Sequence, residues 1–197
     1  MCGLNERIAV ACQAIDAANA LDPTLVAVRG DRRPLALVHG QLAAEWVQTM
    51  HPEADPLWIV AARAHHLRRW ELPRSQYPEG KAGYHRWKRD QRQRHADDVA
   101  ALLAPLGFSE VEIAAVQGWI RREALTTDPG SQAVEDAACL VFIETQLADV
   151  ATKLDHDHLV DVIRKTAKKM SPAALDAVGT IPLGDVEQQL LADALAG

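Results

Sequence analysis

Five polar residues with the chemistry of metal ligands fall within or beside apolar stretches of this sequence. His39 accompanies an apolar stripe at helical spacing, His65 and His66 lie just after the run LWIVAA, and Glu135 and Asp136 open a long apolar segment. Neutral imidazoles together with a carboxylate suit a first-row divalent ion, and such an ion would offset the cost of burying Asp136. We therefore predict a site for Mn, Fe or Zn with His39, His65, His66 and Asp136 as ligands.

His95 is a further candidate ligand because it lies shortly before Val99, on the apolar side of a charged helix. The alternative for His95 is a partly exposed histidine that titrates near neutral pH. Glu135 and Asp136 are consecutive and diverge around a helix, so one of them is expected to face the site. The residues that we predict to be catalytic are His66, Asp136 and Glu135.

The segment from Arg63 to Arg94 is strongly basic. It contains ten Lys or Arg residues against three acidic ones, a local charge of +7 in a chain whose net charge is −6. Such a segment can attract a phosphate or carboxylate ligand, although its second half is also explained by a solvated helix. Guanidinium groups beside an apolar helix need a carboxylate or a bound anion as partner. The residues that we predict to bind an anionic substrate are Arg63, Arg68, Arg69, Arg74 and Lys81.

The elements that would position these residues are predicted to be helices. Apolar residues at a spacing of three to four, N-capping residues and Pro or Gly breaks mark the helix boundaries. The predicted helices cover about residues 5–20, 34–50, 55–70, 84 to beyond 99, 109–120, 132–154 and 155–170, with further helices from 171 and from 185. The stretch between the first two helices is expected to be irregular, and residues 74–83 to form an ordered loop.

Length and composition agree with one all-α domain. The 197 residues are 48% hydrophobic but only 5% aromatic, which excludes an all-β sandwich or barrel. Cys2, Cys12 and Cys139 form no CxxC pair, and no apolar run is long enough to span a bilayer. We predict a single compact helical bundle over residues 1–197 with a core at about 34–154, helices 155–197 packed on it, no membrane partner and a cytoplasmic location.

The order of the candidate ligands resembles the HD-type metal-dependent phosphohydrolase superfamily, whose all-helical fold carries a His, then a His-Asp pair, then a distant Asp. His39, the stretch AARAHH at 61–66 and Asp136 follow that order, and the resemblance covers about residues 34–154. His66 stands where the superfamily has the Asp of its pair. The resemblance implies an HD-like bundle and metal-dependent hydrolysis, with one anionic ligand replaced by an imidazole.

A second resemblance extends over most of the chain. The sequence is similar to a bacterial and fungal family known only as a domain of unknown function, which implies no particular reaction. The strings that carry this resemblance are HLRRWELPR at 66–74, Gly83-Tyr84 with Trp87, and Glu135-Asp136 with LVF at 140–142. It directs attention to His66, which could also form a metal-free anion pocket with Glu135 or Asp136 and the neighbouring arginines.

The leading functional prediction is a metal-dependent phosphohydrolase or phosphodiesterase for a small phosphorylated or nucleotide-like substrate. One alternative is an HD-type non-haem iron oxygenase, because a His-rich site with few carboxylates can hold redox-active iron. Another is a non-catalytic module for RNA or an acidic protein, since aromatic residues interleave with the basic segment. A small anionic molecule is the favoured partner, ahead of nucleic acid.

Overall fold

The computed structural model describes residues 3–195; Met1, Cys2, Ala196 and Gly197 lie outside it. Within this part of the chain no helix is long and apolar enough to cross a membrane. The all-α prediction is confirmed. The elements are α1 (Leu4–Asn19), β1 (Leu25–Val28), β2 (Asp31–Pro34), α2 (Leu35–Met50), α3 (Leu57–Ala64), α4 (Gly80–Leu103), α5 (Glu110–Arg121), α6 (Pro129–Ala151), α7 (His156–Ala167), α8 (Pro172–Val178) and α9 (Asp185–Leu195).

The stretch after α1, predicted to be irregular, contains a short antiparallel hairpin. Strands β1 and β2 pair with Val28 opposite Asp31, and the two turn residues Arg29 and Gly30 have φ angles of 52° and 91°. Two positive φ values in a two-residue loop match the right-handed twist of the strands. Each strand has four residues, which is too short for the alternation of apolar and polar residues to be recognised in the sequence.

The apolar helix α3 is shorter than predicted and ends at Ala64 rather than near Trp70. The chain then turns, and Arg68 adopts a left-handed conformation with φ of 51°. The buried side chain of Asn19 accepts a hydrogen bond from the backbone N–H of Arg68 over 3.0 Å, which stabilises this turn. The helix C-terminus therefore places the two adjacent histidines in a turn that faces the middle of the bundle.

The core consists of three apolar clusters that share the central helices. Helices α1, α3, α4 and α5 form the first cluster, and α6 packs with α7, α8 and α9 in the second. The third cluster joins α2, α3 and α6, with Val26 and Val28 of the hairpin packed against it. Helix α6 contributes to all three clusters, which explains its long apolar sequence. His39, His65, His95 and Glu135 are buried together with these apolar residues.

Close packing of α2 on α3 depends on Gly40, and we expect Gly40→Ala to destabilise the protein. A Cβ atom at this position would lie 2.4 Å from the backbone carbonyl oxygen of Arg63. Backbone atoms cannot yield as a side chain can, so the free energy of unfolding should fall by about 1–3 kcal/mol. Chemical denaturation would measure the change.

Gly118→Ala in α5 is the matched control, since its Cβ would meet only the side-chain oxygen of Glu123, at 3.3 Å. That variant should be neutral or more stable, because Ala favours helix over Gly by about 1 kcal/mol. Equal effects of the two substitutions would contradict the close-packing argument.

Candidate functional site

A cavity of about 440 Å³ lies between α2, the turn after α3, α4, α6 and α7. Four of the eight histidines of the chain line it: His39 from α2, His65 and His66 from the turn, and His95 from α4. Basic side chains line it as well: Arg69, Lys88, Arg92, Arg122 and Lys169. Glu135 is the only carboxylate among the lining residues. Its size and mixed lining are typical of a site for a small molecule.

The structure brings together six of the eleven candidate site residues. They are His39, His65, His66, His95, Glu135 and Arg69. The other five are not part of the cavity lining: Asp136, Arg63, Arg68, Arg74 and Lys81.

Asp136 faces away from the cavity. Its Oδ1 accepts hydrogen bonds from the Gln132 side chain and the Ser171 backbone N–H, both over 2.9 Å. These contacts join α6 to the start of α8, so Asp136 supports the fold and is not placed as a metal ligand beside the histidines. Its neighbour Glu135 lies about 100° further around the helix and faces the cavity. Of the two adjacent acids, Glu135 is the one that lines the cavity.

Two of the basic candidates near α3 pair with carboxylates. Arg63 donates from Nε to Asp16 over 2.7 Å, and Arg68 lies 3.9 Å from Asp98. Arg74 donates to the carbonyls of Tyr77 and Pro78 within its own loop, both over 2.8 Å, and exposed Lys81 lies at the start of α4. These four residues therefore have structural roles or lie in solvent.

Arg69 differs from its neighbours because no carboxylate of residues 3–195 forms an ion pair with it. Its guanidinium lies over the ring of Trp87, 4.6 Å from the ring centroid, and lines the cavity. Burial lowers the pKa of Arg69. A guanidinium at a partly buried position without a carboxylate is the partner that a bound anion requires.

A chain of hydrogen bonds fixes the protonation of His39 and His66. The Thr145 hydroxyl donates to the carbonyl of Val141 over 2.6 Å, so it accepts a hydrogen bond from Nε2 of His39 over 3.2 Å. Burial and the nearby charge of Arg69 lower the pKa of His39 to about 4, so at neutral pH its Nδ1 carries no proton. His66 Nδ1 lies 3.1 Å from that atom and therefore donates to it.

This assignment leaves Nε2 of His66 with a free lone pair. Among residues 3–195 the hydrogen bond of His66 is the one at Nδ1, and His66 lines the cavity. Burial, followed by the charges of His65 and Arg69, lowers the pKa of His66 well below its usual value. At neutral pH the cavity therefore contains an unprotonated imidazole nitrogen that can accept a proton.

His65 and His95 are held in the same tautomer by backbone carbonyls. His65 Nδ1 donates to Ala62 over 2.6 Å, and His95 Nδ1 donates to Leu67 over 2.7 Å. Burial is the largest cause that lowers both pKa values, to about 3 for His95. In both residues Nε2 is buried and has no hydrogen-bond partner among residues 3–195. Imidazoles that ligate metal ions are commonly oriented in this way by a hydrogen bond at the other nitrogen.

These imidazole nitrogens are chemically suitable as metal ligands, but they are not positioned to coordinate one ion together. The rings of His65 and His66 are 4.0 Å apart between centroids, and those of His66 and His95 are 6.1 Å apart. Within residues 3–195, however, no group of three or more His, Cys, Asp or Glu side chains is arranged to hold a metal ion. The structure thus shows a cluster of neutral imidazoles but not a formed coordination site.

Glu135 is fully engaged by basic side chains. Arg122 donates to it over 2.8 Å and Arg92 over 3.3 Å, while Lys169 lies 4.0 Å away. Burial raises the pKa of Glu135, but the charges of Arg122 and Arg92 outweigh it and the pKa is lowered. Glu135 therefore stays ionised as a counter-ion and is poorly suited to act as a proton donor.

Four basic residues of the cavity were not among the predicted site residues. Lys88 and Arg92 could have been recognised, because they share a helical face with His95 at a spacing of three to four. Arg122 and Lys169 follow the ends of α5 and α7, where nothing in the sequence distinguishes them from surface residues. Cys139 belongs to the second apolar cluster and also lines the cavity, where it is a thiol because burial raises its pKa to about 12.

The fold and the site define an all-α protein with a basic, histidine-rich cavity at the centre of its bundle. A family model described as a domain of unknown function (DUF4202) matches residues 9–191, so the chain belongs to that family. The second resemblance predicted from the sequence is thereby confirmed at the level of the family. A search of curated proteins and a search of solved structures found no match.

Proposed function

We propose that the protein binds a small phosphorylated or nucleotide-like molecule in the histidine-lined cavity and hydrolyses its phosphoester bond. One observation carries the proposal: Arg69 and Lys88 line the cavity, and among residues 3–195 neither forms an ion pair with a carboxylate. Burial, and then repulsion by Lys169 and Arg92, lowers the pKa of Lys88. Positive charges in a partly buried site with too few carboxylates repel one another. A multiply charged anion such as phosphate compensates this repulsion when it binds there.

Different residues of the cavity have different roles in the proposed hydrolysis. Arg69 and Lys88 bind the phosphate oxygens and neutralise the charge that develops on them. Nε2 of His66 accepts a proton from a water molecule whose oxygen bonds to phosphorus while the ester P–O bond breaks. The imidazolium then releases this proton through the cavity water to the alkoxide that leaves. Thr145 and His39 hold His66 in the tautomer that this step requires.

We further propose that a divalent ion, Mn, Fe or Zn, assists the reaction. The unpartnered Nε2 atoms of His65 and His95, on either side of His66, support this proposal, although three donors do not converge as the side chains stand. A bound ion would polarise the phosphate and lower the pKa of water. The order of residues that resembles HD-type phosphohydrolases supports hydrolysis, but two of its ligand positions are not available to an ion: both nitrogens of His39 are hydrogen-bonded and Asp136 lies outside the site.

The test is phosphate release by the purified, tag-free protein. A panel of sugar phosphates, nucleoside monophosphates and a chromogenic aryl phosphate would be assayed with and without added Mn, Fe or Zn, and the metal content measured by elemental analysis. We expect release of phosphate from at least one class of ester and competitive inhibition by inorganic phosphate. The matched variant is His95→Asn, whose amide keeps the hydrogen bond to Leu67 and removes only Nε2.

The outcomes separate the two parts of the proposal. Turnover that needs no metal, and that His95→Asn leaves unchanged, would refute the role of the ion and retain the hydrolase. Bound iron with oxygen consumption and without phosphate release would instead support the oxygenase alternative. If the protein neither releases phosphate nor binds it, the proposed function is wrong.

A further inference from the structure

A second cavity, of about 380 Å³, adjoins the histidine-lined cavity. The two share four lining residues: Lys88, Arg92, Glu135 and Lys169. The second cavity adds His85, Arg89 and Arg121 and contains none of the imidazole cluster. Five of its lining residues are Lys or Arg, against the single carboxylate of Glu135. It is therefore at least as basic as the first cavity but lacks the proton acceptor.

Three carboxylates pair with four of the five cations, and two of the three are not part of the cavity lining. Glu135 is the common partner of Arg92, Arg122 and Lys169, so one carboxylate serves three cations. Arg89 pairs with the adjacent Asp90 at the solvent edge, where three quarters of the arginine side chain is exposed, and Arg121 pairs with Glu123 over 2.7 Å. No carboxylate of residues 3–195 forms an ion pair with Lys88. A site with this balance attracts an anion more strongly than the chain as a whole, whose net charge is −6.

Helix α4 determines how the two cavities are placed. Tyr84, Gln91 and His95 follow one face of the helix into the first cavity, whereas His85, Arg89 and Gln93 follow the adjacent face into the second. Consecutive positions on a helix are about 100° apart, which at a helix diameter of 10–12 Å separates the two groups of side chains by roughly 8 Å. The cavities therefore lie side by side, with Lys88 and Arg92 on the wall between them.

We infer that the second cavity binds a further phosphate group, so that the substrate is a small molecule with at least two phosphate groups. This inference rests on the proposed function, because it assigns the first phosphate to the reacting site beside His66. The phosphate in the second cavity is held by Arg89 and Arg121 and is not attacked. Lys88 and Arg92 contact both groups and make the binding of a bisphosphorylated molecule tighter than that of a monophosphate.

The test compares inorganic orthophosphate with inorganic tripolyphosphate, which can enter both cavities and has no organic scaffold to exclude it. Calorimetric titration should show that tripolyphosphate binds about tenfold more tightly or better at physiological ionic strength. Arg89→Gln with Arg121→Gln should remove most of this advantage, since both residues line the second cavity and not the first.

Arg86→Gln is the control for the Arg89 substitution, because each removes one positive charge from α4 and Arg86 is exposed and lines neither cavity. It should change neither affinity more than about twofold, as expected for a screened surface charge. Equal affinity for the two anions would overturn the inference while leaving the proposed function intact. A preference for tripolyphosphate that Arg86→Gln reduces as much as the other two substitutions would also overturn it. Failure of both anions to bind would contradict the proposed function itself.

Discussion

His66→Asn should reduce kcat by about 10²–10⁴-fold, the usual contribution of a general base, with little change in KM. The asparagine amide can still donate to Nδ1 of His39, as the imidazole does over 3.1 Å. The substitution removes Nε2, which forms no hydrogen bond within residues 3–195, from a residue that lines the cavity. The variant thus separates proton transfer from folding and from phosphate binding, which depends on the basic side chains.

Steady-state kinetics on the phosphoester that the wild type hydrolyses fastest would measure this effect. His158→Asn on α7 is the control, since that histidine is exposed and is not part of the cavity lining. The thermal unfolding midpoint of the His66 variant should remain close to that of the wild type. Retention of more than about a tenth of the wild-type kcat would exclude His66 as the base.

The pH dependence of the wild-type reaction supplies a second readout. Burial and the charges of His65 and Arg69 lower the pKa of His66, so its base form persists below pH 6.5. The rate should therefore stay constant from pH 8 down to pH 6 and fall only at lower pH.

Thr145→Val removes the acceptor for Nε2–H of His39 and allows His39 to change tautomer. This variant should lower kcat through His66, and an unchanged rate would contradict the positioning role.

The sequence predicted most of the helices and only some of the residues that line the cavity. Caps and apolar spacing predicted α2 and α5 closely, because Ser109 and Glu112 form a capping box and Met50 precedes His51-Pro52. The hairpin was missed because four-residue strands have too few side chains for a pattern. The turn at Arg68 was missed because it depends on the side chain of Asn19, which is distant in sequence.

The same reasoning explains which site residues could be found. His39 was recognisable because a polar group beside an apolar stripe needs a particular environment. His95 was not, because its charged helix also fits a partly exposed histidine, whereas the structure buries it. The partners of charged residues were not, because Arg63 meets Asp16 and Arg122 meets Glu135 only after the helices pack. Periodicity gives the face of a helix but not which charge lies on the opposing helix. The basic lining of the cavity therefore became visible only in the structure.

Acidification from pH 7 to pH 5 should lower the free energy of unfolding by roughly 4 kcal/mol through His39 and His95 alone. Both are buried, and burial lowers their pKa values in the folded protein from 6.5 to about 4 and about 3. The unfolded chain therefore takes up these protons first as the pH falls. Their contribution to stability is complete above pH 6.5 and is lost progressively below it, by about 2 kcal/mol for each histidine at pH 5.

Urea denaturation at pH 7, 6 and 5 would measure this loss, with EDTA present so that release of a metal ion does not contribute. The lowered pKa of Glu135 adds nothing in this range, because carboxylates in the unfolded chain titrate nearer pH 4.5. His95→Asn keeps the hydrogen bond to Leu67 and removes one titrating group. It should be less stable than the wild type at pH 7 but lose about 2 kcal/mol less on acidification, whereas His158→Asn should follow the wild type. An equal loss of stability in His95→Asn and the wild type would show that His95 is not a source of the acid sensitivity. The assignment of a neutral imidazole to His95 would then be wrong.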